Sequence, residues 1–226
     1  GLGDVYKRQN PDIFEDDHKG DGRRFYTDGP RVHEYLQELV GDTGIEDMVT
    51  VGEMSSTTLD NCIRYSRPED RELSMCFNFH HLKVDYRDGD KWKLTEPDLV
   101  RLKQLFMEWQ EGMERENGWN AVFWCNHDQP RAISRFGDDG RYWKESAKML
   151  ATVIHMFRGT PYVYQGEELG MTNPHYVDIS QYRDVESINY YRILTEQGIT
   201  GEEALKVLAA RSRDNGRTPM QWDGSE

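Results

Sequence analysis

The sequence predicts an α/β fold: the C-terminal half of a TIM (β/α)8 barrel, incomplete within these 226 residues. Three observations lead there. Short β-branched or aromatic runs alternate with amphipathic helical stretches, which implies right-handed parallel β-α units. Polar residues stand at the carboxyl ends of successive strands (Glu53, His80, Asp128, Gln165), and no glycine-rich phosphate loop follows any strand. An open doubly wound sheet would satisfy the alternation alone, but the polar strand ends without such a loop fit the active face of a barrel better. About four strands cannot close an eight-stranded barrel, so the chain reads as its second half.

Taken in order, Val32, Tyr35, Leu36 and Leu39 recur at helical spacing behind Thr27-Asp28-Gly29-Pro30 and predict a helix over Pro30–Leu39. A strand is expected over Met48–Val51. Ser55-Ser-Thr-Thr then supplies hydroxyls to cap a short helix running to about Tyr65. A second strand covers Leu73–Phe79. After a loop containing Asp88-Gly89-Asp90, a helix is expected over Asp98–Glu114, with Leu99, Leu102, Leu105, Phe106 and Trp109 on one face. Ala121–Cys125 forms the third strand, Lys144–Phe157 the next helix and Pro161–Tyr164 the fourth strand, which runs into Gln165-Gly166-Glu167-Glu168. No short internal repeat or low-complexity linker interrupts this rhythm.

With 36% hydrophobic and 12% aromatic residues the chain is globular, and its 41 acidic against 28 basic residues (net −13) give no footprint for nucleic acid or an anionic membrane. Three cysteines, Cys62, Cys76 and Cys125, without CxxC spacing suggest neither a disulfide framework nor a zinc site, so a reducing cytoplasm and no cofactor or metal are expected. No apolar run spans a bilayer and no secretory signal pattern opens the chain. Residues 1–9 lack periodicity and read as a non-native leader. Residues 10–226 then form one partial catalytic domain of about four β-α units.

The chemistry concentrates in two places where an apolar strand runs straight into an acid: Met48-Val-Thr-Val-Gly-Glu-Met54 and Ala121-Val-Phe-Trp-Cys-Asn-His-Asp-Gln-Pro-Arg131. Cleaving an acetal needs one carboxyl to protonate the leaving oxygen and further negative charge to stabilise an oxocarbenium-like transition state. Glu53 and Asp128 are candidates for two such roles at one pocket. Cys125 reads as a small buried strand residue. Arg131 is expected to pair with a site carboxylate, with a sugar or in a structural salt bridge.

The segments VGEM, WCNHDQPR, GTPYVYQGEELGM and RSRDNGRTPMQW, in this order, resemble the second half of the catalytic barrel of the α-amylase superfamily, glycoside hydrolase family 13. The resemblance covers nearly everything from Asn10 onward. It implies that Glu53 is the general acid/base, that Asp128 stabilises the transition state and that His127 holds a sugar hydroxyl. Leu73–Tyr86, GEMSSTT, Thr172-Asn-Pro174 and Tyr182–Ser187 narrow it to a branch that hydrolyses a phosphorylated α,α-1,1-linked disaccharide with retention. An anionic substrate suits His80, Lys83 and Lys91, one loop of cationic or donor groups in an acidic protein, as a phosphate clamp, with Lys93 as a substitute member. Arg213 is expected to reach the sugar, while Gln165, Glu167 and Glu168 are expected to hold backbone. Pro219 and Trp222 anchor the Arg213–Arg217 segment.

The superfamily's nucleophile, an aspartate in a glycine-phenylalanine-arginine-x-aspartate-valine context, has no counterpart here; Asp4-Val5 lacks the arginine. The first barrel half, its inserted subdomain, any calcium loop and a C-terminal β-domain are absent as well. The chain by itself is therefore expected to be inactive, with the rest of a longer parent chain as its partner. Two rivals stand beside this reading: an oligo-1,6-glucosidase for neutral oligosaccharides and a noncatalytic relative of the barrel that only binds.

Overall fold

Four short strands pair into one sheet in the order β1-β2-β3-β4: Val51–Met54, Met75–Asn78, Asn120–Val122 and Thr160–Pro161. The computed structural model describes residues 27–224. β1 and β2 run parallel with Glu53 opposite Phe77 and Gly52 opposite Cys76, and β2 and β3 run parallel with Cys76 opposite Asn120. Parallel pairs need crossovers, and helices provide them. α1 (Val32–Asp42) precedes β1, α2 (Leu59–Ser66) links β1 to β2, α3 (Leu99–Arg115) links β2 to β3, and α4 (Ala132–Phe136) and α5 (Trp143–Met156) link β3 to β4. α6 (Val185–Glu196) and α7 (Gly201–Arg211) follow. The chain divides into two compact units, one of residues 27–80, 105–121 and 158–160, the other of 81–104, 122–157 and 161–224.

In the first unit Cys62, Ile63, Tyr65, Cys76, Trp109 and Met113 form the core, with Val32, Leu36, Met54, Leu59 and Leu73 packed against it. Thr58 caps α2 by accepting from the Asn61 N–H at 3.3 Å, as the serine-threonine run predicts. Gly52 sits close under two side-chain ends, since a Cβ there would meet Leu73 Cδ1 at 2.6 Å and Met54 Cε at 2.7 Å and both would have to shift. The two buried thiols of Cys62 and Cys76 are free, and the hydrogen bond between them, together with burial, pushes the Cys62 thiol up. Their role here is packing. In the second unit Trp92, Tyr182 and Leu208 form a smaller core, with Tyr190 stacked on Trp92 at 4.3 Å between ring centroids.

Several expected boundaries move. The strand expected over Met48–Val51 begins only at Val51, since Thr50 spends its backbone and hydroxyl on Ser74 (Thr50 N to Ser74 Oγ 3.0 Å, Ser74 N to Thr50 Oγ1 2.9 Å) and Val49 is exposed. The shift places Glu53 inside β1 rather than beyond its end. α1 packs Val32 and Leu36 on the core but leaves Tyr35 and Leu39 exposed. In α3 Leu102, Leu105 and Trp109 are buried, whereas Leu99, in the first turn, is exposed. β3 stops at Val122, and the apolar run continues beyond the strand as buried chain through Phe123, Trp124 and Cys125. Residues 1–9 lie outside the described residues. Among the described residues no helix is long and apolar enough to cross a membrane, and no cluster of three or more His, Cys, Asp or Glu could hold a metal ion.

Candidate active site

In the first unit, strand alternation turns Gly52 inward and Glu53 outward, so the Glu53 carboxyl is exposed and makes no hydrogen bond among the described residues. That leaves it open to a ligand. His80 begins a 3-10 turn (His80–Lys83); its Nε2 lies 2.8 Å from Thr57 O, and its ring lies 5.1 Å from the Trp109 ring. Thr57 is itself fixed, its buried hydroxyl placed 3.0 and 3.1 Å from Asp28 Oδ1 and Oδ2, the first of which also receives the Tyr65 hydroxyl at 2.6 Å. His80 is thus a held imidazole, its Nδ1 unbonded among the described residues.

In the second unit, Asn126 closes an Asx turn by accepting from the Asp128 N–H at 2.8 Å, which aims the Asp128 carboxylate away from its own backbone. His127 Nε2 lies 3.4 Å from Asp128 Oδ2. Two arginines converge on that carboxylate. Arg217 Nη2 donates to Asp128 Oδ1 at 2.5 Å, and its other nitrogens donate to His127 O (2.8 Å) and to Asp184 Oδ2 (2.5 Å). Arg213 Nη1 lies 3.6 Å from the same Asp128 oxygen, with Asp184 Oδ1 at 3.2 Å and Glu186 Oε2 at 3.1 Å from its other nitrogens.

Arg213 opens and Arg217 directly follows a 3-10 turn, Arg213–Gly216, whose buried Asp214 accepts the Arg183 and Asp184 N–H groups and the Ser187 hydroxyl at the start of α6. Asp184 caps that helix through the Glu186 N–H at 2.7 Å. The turn also presses on the loop carrying Asp128: a Cβ on Gly216 would meet Gln129 O at 2.8 Å and Asn126 O at 2.9 Å. Asp128, His127, Arg213 and Arg217 are therefore registered by backbone, not only by side-chain pairing.

The remaining candidates find partners of their own. Lys91 Nζ donates to Glu186 at 2.7 Å and lies 4.5 Å from the Trp92 ring centroid, Lys93 pairs with Asp88 at 3.3 Å, and Lys83 is exposed at the end of its turn. Lys91 thus joins the Asp128 cluster through Glu186 and Arg213. Arg131 pairs with no carboxylate among the described residues: it is buried, and it donates to Asn215 O, Gln165 O and Thr218 Oγ1 at 3.3, 2.6 and 3.0 Å. Its fork is spent on two carbonyls and a hydroxyl rather than on a carboxylate.

Glu167 and Glu168 hold backbone, accepting from Tyr164 N at 3.0 Å and Gly166 N at 2.8 Å. Burial lifts Glu167 from 4.5 to about 7, outweighing the hydrogen bonds from the Tyr164 N–H and the Cys125 thiol that pull it down. Because the native value lies above the ordinary one, the penalty is absent below about pH 4.5 and complete above pH 7. Glu167→Gln is expected to stabilise the protein by up to about 3 kcal/mol at pH 8 and by nothing near pH 4, read from urea unfolding midpoints across that range.

Asp184 and Glu186 were not singled out for the site by sequence, and Arg217 only as part of a segment expected to pack over it, although two signals pointed to them. Arg213 and Arg217 stand four apart in one motif, and Asp184 precedes a helix as an N-cap acid would.

The α-amylase catalytic-domain family matches residues 4–226. The chain belongs to the α-amylase family. Its fold, a parallel sheet with helices, matches part of that family's barrel. It is 59% identical to the trehalose-6-phosphate hydrolase of Bacillus subtilis over 94% of this chain and 38% of that protein. The solved trehalose-6-phosphate hydrolase of Bacillus licheniformis superposes with a TM-score of 0.89 at 64% identity, over 92% of this chain and 38% of the other. An oligo-1,6-glucosidase of Parageobacillus thermoglucosidasius is 49% identical over 91% of this chain and 37% of its own length. The chain thus spans well under half the length of the family members it matches.

Proposed function

We propose that this α-amylase-family chain is the acid/base-bearing half of a retaining glycosidase that hydrolyses trehalose 6-phosphate to glucose and glucose 6-phosphate. The single observation that carries the substrate is the identity of 59% with a trehalose-6-phosphate hydrolase against 49% with an oligo-1,6-glucosidase, over nearly the same stretch. In this reading Glu53 protonates the glycosidic oxygen and later deprotonates water, Asp128 offsets the positive charge of the transition state, and His127 and Arg213 hold sugar hydroxyls. The motif of the nucleophilic aspartate is not found in this sequence, so the reading assigns that residue to another part of the protein and expects this stretch alone to be inactive. The exposed Glu53 and the cluster of donors around Asp128 support these roles.

Lys91 and Lys83, with His80, take the phosphate. A guanidinium-free clamp suits a mobile dianion, because ammonium groups bind as point charges from several directions. The three buried free thiols support a reducing compartment such as the cytoplasm.

The test is steady-state hydrolysis of trehalose 6-phosphate, trehalose and isomaltose by the full-length protein. Lys83→Ala and Lys91→Ala are expected to raise KM for the phosphorylated sugar roughly tenfold each, the size of one charge-assisted contact, and to leave KM for the neutral sugars alone. Indifference to the phosphate would instead favour the neutral-oligosaccharide reading.

A further inference from the structure

One oxygen of Glu186 serves two cations. Its Oε2 lies 2.7 Å from Lys91 Nζ and 3.1 Å from Arg213 Nε, yet only the lysine contact is a hydrogen bond. Arg213 Nε is buried and has no hydrogen-bond partner. The oxygen is aimed at Lys91, and the arginine N–H beside it goes unsatisfied. Arg213 meanwhile divides its remaining nitrogens between Asp184 and Asp128, so the Asp128 carboxylate carries two guanidinium neighbours, Arg217 at 2.5 Å and Arg213 at 3.6 Å.

We infer that Glu186 is a phosphate-operated latch between the substrate's anionic end and the Asp128 carboxylate. The inference rests on the reading of Lys91 as a phosphate ligand. A dianionic phosphate monoester is a stronger partner for an ammonium than a carboxylate is, so it takes Lys91 from Glu186. The nearest unsatisfied donor to the released oxygen is Arg213 Nε. Swinging onto it draws Arg213 Nη1 off Asp128 and leaves that carboxylate with one guanidinium in place of two. Asp128 then carries more of its negative charge toward the oxocarbenium-like transition state. Phosphate accordingly raises turnover as well as affinity.

The decisive experiment separates the phosphate from the sugar. The full-length enzyme is assayed on an unphosphorylated chromogenic α-glucoside with added inorganic phosphate, against chloride at equal ionic strength, because surface pairs are screened by any salt. Phosphate is expected to raise kcat roughly threefold to tenfold, the scale of one polar interaction. Lys91→Met should raise kcat without phosphate and abolish the response, since Glu186 is then Arg213's alone. Glu186→Gln should abolish the response from the low side. Gains in Lys91→Met cannot come from misfolding, so that variant decides the matter even if Glu186→Gln folds poorly. If inorganic phosphate has no effect while trehalose 6-phosphate is still preferred and Lys91→Met loses the preference, Lys91 is an anchor only and the latch is overturned. If the enzyme is indifferent to the phosphorylated sugar altogether, the functional reading fails and takes the latch with it.

Discussion

Replacing Glu53 by glutamine in the full-length protein is expected to lower kcat on trehalose 6-phosphate by roughly 10²–10⁴-fold, the loss that follows removal of a general acid/base. The fold should not notice. Glu53 is exposed, makes no hydrogen bond among the described residues and stands opposite Phe77 in the outward row of β1, so the isosteric amide removes a proton donor without leaving a buried group unpaired. An unchanged urea midpoint together with a collapse of kcat separates catalysis from a purely binding role. A substrate with a leaving group acidic enough to depart unprotonated should recover the glycosylation step, because only protonation of the leaving oxygen is missing. Turnover by Glu53→Gln within about threefold of the unaltered enzyme would remove the residue from the mechanism and reopen the noncatalytic reading.

What the sequence disclosed, and what it withheld, follows the range of each interaction. The four strands and the long helix α3 are periodic and locally punctuated, and all were legible, with ends misplaced by a few residues. Strand ends are set by partners far along the chain: Ser74 decides where β1 starts, twenty-four residues away. α6 and α7 were not anticipated. Ser187 is the only buried residue of α6, which blurs its apolar stripe, although the capping box of Thr200 and Glu203 before α7 was written in the sequence as T-x-x-E. The candidate site shows the same division. Glu53 and Asp128 stand out because acids at the ends of apolar strands are conspicuous one at a time. Arg217 reaches Asp128 across eighty-nine residues and Glu186 reaches Lys91 across ninety-five, and a charge in a polar loop carries no mark of a partner so remote.

Asp85→Asn is expected to destabilise the protein by about 3–5 kcal/mol at pH 7, because it strips the counter-charge from two buried arginines. Asp85 is almost wholly buried; Arg135 donates to both its oxygens at 2.9 and 2.8 Å, and Arg211 pairs with Oδ2 from the other side. Burial alone would push this carboxyl up, but Arg135 and Arg211 outweigh it and hold Asp85 below the usual carboxylate range. The sign of the pH dependence follows. A carboxyl whose native value is depressed contributes stability above its unfolded value, near 3.9, and the contribution is lost as pH falls through the native value. The gap between Asp85→Asn and the unaltered protein should therefore be full at neutral pH and shrink once acid protonates Asp85 itself. The damage should also reach the site: Arg135 donates to Gln129 Oε1 at 2.6 Å and to Leu82 O, so the arginine that Asp85 fixes also braces the loop carrying Asp128. Loss of kcat in parallel with loss of stability is the expected pairing. A variant with an unchanged unfolding midpoint at pH 7 would mean that the two arginines find other acceptors, and that the loop is braced elsewhere.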